Sequence, residues 1–454
     1  MTQTLIKNAT ILTMDAELGE LHNADLRYEA DTIVEIGHNL KRSGSAPCKE
    51  IDATGKILIP GLVNAHMHTW QTALRGVTSN WTILEYFANM HAGLATNFQP
   101  DDIYIATLMG ALNQINCGTT TLGDWCHNNP TPAHTDRAID GLLDANIRAV
   151  FFHGSPKPDP KPGQKHFSEI PHPRAEVERL LKTRFKDQRL VSLGLAILGP
   201  HYSTYEVAVH DFELAREFNL IASMHCAGAA AKTPDGWERL VKDGLMGNNN
   251  NIVHGNNLTD AQLKMMIDLG VTFSLTPETE MTQGHGMAIT GRLLQLGAAP
   301  SLGVDLESSI SGDMFSVARF ALGTQRALDN AHSKEQLHKL PDTSSIYCKQ
   351  ALEWITIKGA QALNLDDKIG SLKAGKQADL VLISAEDLNM SPVHNPINSV
   401  VMQTSLANVD TVVIAGETRK ENGRLLHPKL PELKATLAQS GMRLMKELQS
   451  HAQH

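Results

Sequence analysis

Short apolar runs alternate with amphipathic segments through the middle of the chain. Eight such runs occur between residue 61 and about residue 365, at 61–66, 119–125, 148–153, 191–198, 220–225, 251–254, 271–275 and 300–304. Continuous apolar runs of this length are typical of strands that are buried on both faces of a parallel sheet. The pattern therefore predicts eight buried parallel strands.

The segments between these runs have the spacing of amphipathic helices. The clearest are residues 101–116, 136–145, 205–218, 260–269 and 312–328, with a last helix at 349–363. Repeated strand–helix units predict an α/β protein, and eight of them favour closure into a TIM-like (β/α)8 barrel. An open doubly wound sheet is the alternative, but no G-x-G-x-x-G sequence follows the first strand.

Both ends of the chain have shorter, strand-like patterns. They lie at residues 5–14, 24–36 and 57–62 near the start, and at 378–383 and 410–415 near the end. We expect the two ends to build one β-sandwich domain from residues 1–59 and 366–430. Residues 60–365 then form the barrel, and residues 431–454 a C-terminal surface helix.

Composition and charge exclude several classes of protein. The 454 residues are 42% hydrophobic and 20% charged, with a formal net charge of -9, so neither nucleic acid nor an anionic membrane is an expected partner. Five widely spaced cysteines do not suggest a disulfide framework. Polar residues interrupt the N-terminal sequence before any signal-length apolar run, which favours the cytoplasm. The sequence leaves open whether the protein forms a homo-oligomer.

Histidines and one aspartate occupy the ends of four predicted strands. His66 and His68 are two residues apart in the first strand and so point to the same side. His225, His254 and Asp305 end the fifth, sixth and eighth strands. Each alone fits a residue that hydrogen-bonds a loop, but together they indicate a catalytic metal site with three or four nitrogen and oxygen ligands.

This set of groups predicts hydrolytic chemistry. A bound divalent metal lowers the pKa of its water to about 7. Asp305 is then a candidate base for that water, and His254 a candidate to orient it or to polarise the electrophile. The fourth strand contains no lysine that a second metal would need, so one metal is expected, either Zn²⁺ or Fe²⁺.

Several motifs give the chain a resemblance to the amidohydrolase superfamily, and within it to the cytosine-deaminase-like branch of aminohydrolases and chlorohydrolases. They are IPGLVNAHMHT at 59–69, GTTT at 118–121, GPH at 199–201, GVD at 303–305 and GKQADLV at 375–381. The resemblance implies a sandwich plus barrel and hydrolytic displacement at an sp² carbon. It also implies metal ligation by His66, His68, His225 and Asp305, with His254 beside the water and His201 near the substrate.

Two positions depart from the pattern of that branch. Its deaminases usually carry a proton-shuttling Glu three residues after the strand-five His, where this chain has Gly228. They commonly carry a His where this chain has Leu275. We hypothesise that at least one of Glu278, Glu280 and His285 replaces the lost relay.

The two glutamates lie on one face if the seventh strand stays extended through them. The alternative is that one of them caps the next helix or pairs with Arg292.

Four further residues are candidates for substrate contacts. Trp70 and Gln71 follow the metal motif and could stack on and hydrogen-bond a planar ring, although Trp70 fits loop packing equally well. Trp125 and His153 end the second and third strands and point toward the same mouth of the barrel.

The sequence thus predicts a metal-dependent hydrolase that attacks an sp² carbon of a small N-heterocyclic substrate with metal-activated water. An aminohydrolase that releases ammonia is the first hypothesis. Hydrolysis of another C–N bond, a C–Cl bond or a cyclic amide is the second, and the Gly at position 228 favours it. A non-catalytic ligand-binding protein of this fold is the third.

Overall fold

The first part of the chain forms strands of a mixed sheet. The computed structural model describes residues 3–45 and 47–451. The first five strands are β1 (Gln3–Leu12), β2 (Glu20–Glu29), β3 (Thr32–Gly37), β4 (Cys48–Asp52) and β5 (Lys56–Pro60). β1 pairs antiparallel with β2 and parallel with β4 and β5.

The next eight strands form the parallel sheet of the barrel. They are β6 (Leu62–Met67), β7 (Thr119–Cys126), β8 (Arg148–His153), β9 (Val191–Ala196), β10 (Ala222–Cys226), β11 (Asn250–His254), β12 (Thr272–Leu275) and β13 (Ser301–Leu302). They are hydrogen-bonded in sequence order from β6 to β13. β6, β7, β8, β10 and β11 are buried along their whole length, as expected of strands covered on both faces.

The chain then returns to the first sheet. The last strands are β14 (Leu380–Ser384), β15 (Val409–Ile414), β16 (Glu417–Glu421) and β17 (Arg424–Leu425). The nine-stranded sheet has the order β17-β16-β15-β14-β5-β1-β2-β3, with β4 beside β1. Ile6, Leu26, Leu58, Leu382 and Val413 share one buried core. The predicted fold, a (β/α)8 barrel with a β domain from both ends, is confirmed.

Fifteen α-helices connect or follow these strands in the described part of the chain. They are α1 (Ile83–Tyr86), α2 (Pro100–Asn116), α3 (Pro132–Ala145), α4 (Arg174–Thr183), α5 (Gly199–Tyr202), α6 (Tyr205–Glu217), α7 (Gly236–Lys242), α8 (Asp260–Asp268), α9 (Pro277–Gln283), α10 (Thr290–Gln295), α11 (Met314–Gln336), α12 (Cys348–Trp354), α13 (Ile357–Ala362), α14 (Pro396–Gln403) and α15 (Leu430–His451). The single helix expected at 349–363 is two helices, because Thr356 has a non-helical backbone between them.

The barrel closes just beyond its two end strands. Asp305 N donates to the His66 carbonyl at 3.0 Å, and His68 N donates to the Asp305 carbonyl at 2.8 Å. This approach requires a glycine at position 303, because a Cβ there would lie 2.4 Å from the His66 carbonyl oxygen. The closure brings the first and last strands together at the residues predicted to bind metal.

The chain consists of two compact units. One unit comprises residues up to Ala65 with Asn113–Thr121 and Asp313–His427, and it contains the nine-stranded sheet. The other comprises His66–Leu112, Leu122–Gly312 and the chain from Pro428, and it contains the four residues predicted to bind metal. The domain boundaries expected from the sequence stay a prediction.

No helix within residues 3–45 and 47–451 is both long and apolar enough to cross a membrane.

Candidate metal centre and its cavity

Four predicted ligands converge at the ends of barrel strands. His66 Nε2 lies 3.2 Å from His225 Nε2 and 3.3 Å from Asp305 Oδ1. His68 Nε2 lies 3.4 Å from the same Asp305 oxygen. One ligand atom from each of the four residues falls within 4.8 Å of all the others, and all four side chains are buried. The geometry therefore forms one compact cluster of three nitrogens and one oxygen.

The protonation states suit a metal. Burial lowers the pKa of His66 and of His225, and lowers the pKa of His68 to about 3, so these imidazoles are neutral near pH 7. Burial alone would raise the pKa of Asp305, but its hydrogen bond with His66 and the neighbouring histidines hold it well below its usual range. His68 Nδ1 donates to the Trp125 carbonyl at 2.6 Å, which leaves Nε2 as the ligand atom. The cluster thus fits a divalent cation.

His254 and Asp305 have strained backbones. Their φ angles are 68° and 67°, in the left-handed region that residues other than Gly rarely adopt. Around each, an i→i+2 hydrogen bond of 3.0 Å joins the flanking residues, Gly255 N to the Val253 carbonyl and Leu306 N to the Val304 carbonyl. This combination is that of the rare γ-turn, and it aims both side chains across the mouth of the barrel.

Glu280 fixes the orientation of His254. The His254 Nδ1 atom lies 3.3 Å from Glu280 Oε1 and 3.1 Å from Thr276 Oγ1. Glu280 Oε1 also accepts from Thr276 N at 2.7 Å. With Nδ1 held in this way, Nε2 is the His254 nitrogen left to act in the cavity.

The seventh strand does not stay extended through Glu278 and Glu280, so the condition for their lying on one face is not met. These residues belong to α9, which Pro277 begins with a φ suited to the first turn. Residues two apart on a helix point to different sides. Glu280 is therefore buried beside His254, whereas Glu278 is half-buried and not part of the cavity wall.

The cavity at this centre is small and rich in histidine. Its volume is about 40 Å³, room for roughly three water molecules. Five of the side chains around it are not among the candidates from the sequence, namely Tyr86, His91, His127, Lys157 and Tyr202. His285 also lines it, with its ring 4.8 Å from and perpendicular to that of His254.

The unpredicted lining residues had weak sequence signals. His91 lies in a π-helical turn, Phe87–His91, a feature often found at functional sites but one with no distinct sequence pattern. Its Nε2 lies 3.2 Å from His127 Nε2. His127 was detectable as the residue that follows β7, and its ring centroid lies 4.5 Å from that of His68.

The first-loop candidates lie behind the cavity wall. Trp70 is fully buried and packs its ring 5.1 Å from Phe98 and 5.3 Å from His127. Gln71 donates to the Tyr86 hydroxyl at 2.6 Å and accepts from Ser308 Oγ at 2.8 Å. Gln71 thus contacts the cavity through Tyr86, and Trp70 packs the loop.

The other substrate candidates surround the centre at different positions. Trp125 packs against His225, with ring centroids 4.2 Å apart, and lines a second cavity of about 620 Å³. His153 contacts His172 at 3.0 Å, outside the wall of the metal cavity. His201 Nε2 donates to the Ala227 carbonyl at 3.0 Å, next to the cavity-lining Tyr202.

Position 228 offers no proton carrier. Gly228 has a φ of +80°, and a Cβ there would lie 3.6 Å from Ile83 and 3.8 Å from the Tyr202 hydroxyl. Leu275 is fully buried at the end of β12. Any proton transfer must therefore use other side chains of the cavity.

The matches to known proteins agree with this geometry. Residues 57–419 match the amidohydrolase family. The chain belongs to the amidohydrolase family. The predicted enzyme class, a metal-dependent hydrolase acting on carbon–nitrogen bonds, is confirmed, and the buried His/Asp cluster of this amidohydrolase provides a site for a divalent metal.

Relatives of the amidohydrolase cover nearly its whole length. It is 27% identical over 439 residues to the 5-methylthioadenosine/S-adenosylhomocysteine deaminase of Caldicellulosiruptor saccharolyticus, covering 93% of this chain and 94% of the relative. An adenosine deaminase structure from Xanthomonas campestris with bound zinc has 22% identity and a TM-score of 0.83, covering 98% of each chain. An atrazine chlorohydrolase structure from Arthrobacter aurescens TC1 complexed with zinc has 22% identity and a TM-score of 0.84, covering 96% of this chain and 100% of the other.

Proposed function

We propose that this amidohydrolase is a zinc-dependent aminohydrolase that removes an exocyclic amino group from an adenosine-like heterocycle and releases ammonia. The observation that carries the proposal is His254, held by Glu280 on one side and facing the three-histidine, one-aspartate cluster on the other. The names of the relatives support the substrate class, since 5-methylthioadenosine/S-adenosylhomocysteine deaminase and adenosine deaminase are among them.

In this reaction water attacks a ring carbon and displaces its amino group. The water oxygen bonds to the carbon, the carbon–nitrogen bond breaks, and the amino nitrogen leaves as ammonia after it gains a proton. When bound, a divalent metal acts as a Lewis acid and lowers the pKa of water toward about 7. The remaining steps are proton transfers between the water, the ring and the leaving nitrogen.

Asp305 and His254 have separate roles at the water. Oδ1 of Asp305 faces the histidine ligands, and Oδ2 lies 3.5 Å from Thr276 Oγ1. Since its pKa is low, Asp305 is a carboxylate that can accept the proton of the water at Oδ2. His254 donates or accepts at Nε2 and polarises the electrophilic carbon. Glu280 is a positioning residue, because it acts through His254.

His285 is our candidate for the relay that Gly228 cannot provide. Burial lowers the pKa of His285 to about 3, so its ring is neutral. Neither ring nitrogen has a hydrogen-bond partner among the described residues. A neutral imidazole can take a proton at one nitrogen and give one from the other, which is what transfer between ring nitrogen and leaving group requires.

The cavity must open before such a substrate binds. A volume of about 40 Å³ does not hold a nucleobase. Trp125, His153 and His201 lie just outside the present wall and stay candidates for contact with the substrate once the rim has moved. Trp70 and Gln71 support that rim from behind.

Metal analysis combined with an ammonia assay tests the proposal. Purified protein is analysed for zinc and iron per chain, then incubated with adenosine-like nucleosides, aminopurines, pterins, pyrimidines and aminotriazines. We expect about one zinc per chain and ammonia release from nucleosides. A metal-loaded protein that releases no ammonia from any compound would overturn the proposal.

A second function is favoured by the glycine at position 228. A leaving group such as chloride needs no proton from that position, and a chlorohydrolase is among the structures of the same fold. Release of chloride from chlorotriazines by a sample that gives no ammonia from the amino compounds would support this alternative.

A further inference from the structure

One lysine of a surface loop is buried in the metal cavity. The loop that follows β8 contains three lysines, of which Lys161 and Lys165 are exposed. Lys157 is only 8% exposed and lines the cavity together with the metal ligands His68 and His225. Prolines on both sides of Lys157 restrict the backbone that sends this one side chain inward.

The ammonium of Lys157 has aromatic neighbours but no counter-ion. Its Nζ lies 5.0 Å from the ring centroid of Tyr202 and 5.5 Å from that of Trp125. Both distances are within reach of a cation–π interaction. Among the described residues no carboxylate forms an ion pair with it, and burial is the only influence on its pKa. Burial lowers the pKa of Lys157 to about 8, so Lys157 is charged in most molecules at neutral pH.

Lys157 is the only lysine or arginine among the described residues that line the cavity. Its wall contains six histidines, one carboxylate and one lysine. The carboxylate is Asp305, which belongs to the metal cluster. A metal bound at the cluster would engage Asp305, so no carboxylate of the described wall remains to pair with Lys157. A buried cation without a partner is unfavourable, and a ligand that supplies an anion removes this penalty.

We propose that the substrate of this site carries a carboxylate that pairs with Lys157. The inference rests on the proposed function, which supplies the ring that is attacked. It adds that this ring, or a sugar attached to it, carries an acidic substituent. Lys157 is then the residue that selects acidic over neutral substrates. Trp125 and Tyr202 hold its ammonium in place for the pairing.

Matched acid and amide ligands test this selection. The zinc-loaded protein is titrated calorimetrically with adenosine 5′-carboxylate, 6-aminonicotinate and cytosine-5-carboxylate, each compared with its own carboxamide. We expect at least one acid to bind about tenfold or more tightly than its amide, as a charged hydrogen bond in a buried site allows. A panel in which no acid binds more tightly than its amide overturns the proposal, whether or not any compound binds.

Three variants assign the preference to one side chain. Lys157→Met should abolish the acid preference, and Lys157→Arg should retain most of it. Lys161→Met removes an exposed lysine from the same loop and should leave the preference intact. Zinc content checks that each variant has kept its metal site. An acid preference that survives in Lys157→Met, or that is lost equally in Lys161→Met, contradicts the role of Lys157.

Ammonia release separates this inference from the proposed function. If the acids bind preferentially but neither they nor any other amino compound releases ammonia, the aminohydrolase proposal fails and the carboxylate site stands. If amino compounds are deaminated but acids have no advantage, the aminohydrolase proposal stands and the carboxylate site fails.

Discussion

The side chains at the strand ends and those from the connecting segments surround the same cavity but are held differently. His66 and His225 lie within buried strands, and Asp305 is fixed by backbone hydrogen bonds to the first strand. His91, Lys157 and His285 come from a π-helical turn and two loops. The first group has its geometry set by the barrel, whereas the second depends on how each connection packs.

We therefore expect the strand-end residues to determine the chemistry and the residues of the connections to determine selectivity. At His254 and Asp305 the strand-end backbone is strained, a feature that costs on the order of 1–3 kcal/mol at each position and persists only where the surrounding structure imposes it. Lys157 and His285 lie in loops, where no strand pairing fixes the backbone. We expect changes at strand ends to remove the metal and the chemistry, and changes in the connections to alter rate and selectivity.

The largest expected effect distinguishes two neighbouring histidines. His68→Ala removes a proposed strand-end ligand and should abolish metal binding and lower turnover by more than about a thousandfold, because water activation is lost. His127→Ala removes the ring 4.5 Å away and should retain the metal. Metal content and turnover of the two variants provide the test, and equal metal loss in both would break the comparison.

A smaller effect is expected from the residue behind His254. Glu280→Gln should lower kcat by about 10- to 100-fold with KM little changed, since loss of an orienting partner typically has this size. Glu278→Gln, on the same helix but outside the cavity wall, is the matched control and should behave as wild type. Steady-state kinetics check both, and a larger defect in Glu278→Gln would reverse the assignment.

The closure of the barrel is tested by a single methyl group. Gly303→Ala forces a Cβ toward the His66 backbone and should destabilise the protein by about 1–3 kcal/mol and weaken metal binding. Gly323→Ala adds a methyl group in α11 with no atom within 4 Å and should be neutral or slightly stabilising. Denaturant unfolding measures both, and unchanged stability in Gly303→Ala would mean that the closure relaxes easily.

The last test concerns the pH dependence of stability. Burial raises the pKa of Asp124 to about 7 from 3.8, and hydrogen bonds from Thr69 oppose this only in part. The folded state then binds one more proton than the unfolded state between these pH values, so stability falls as pH rises from about 4 to about 7, by at most about 1.4 kcal/mol per pH unit.

Asp124→Asn removes this titration. In the metal-free protein, the free energy of unfolding of the Asp124→Asn variant should increase relative to that of wild type as pH rises from 5 to 8. Parallel curves for the two proteins would show that Asp124 stays ionised when folded.

The strand ends were predictable because their signals are local. Alternation in β6 places His66 and His68 on one side, and the apolar run before His225 marks the end of its strand. The side chains from connections were not predictable, because no periodic pattern relates His91 or Lys157 to the barrel axis. Glu278 and Glu280 show the limit directly, since their sequence spacing suited either a strand or a helix.

The sequence by itself determined the barrel, the terminal β domain and the strand-end residues that form the metal cluster. These follow from apolar periodicity, which acts over a few residues and repeats along the chain. Only the tertiary structure decided that Glu280 faces His254, that Trp70 packs behind the wall and that Lys157 enters the cavity. Those contacts join residues far apart in sequence, and their directions depend on how each connection folds back over the mouth of the barrel.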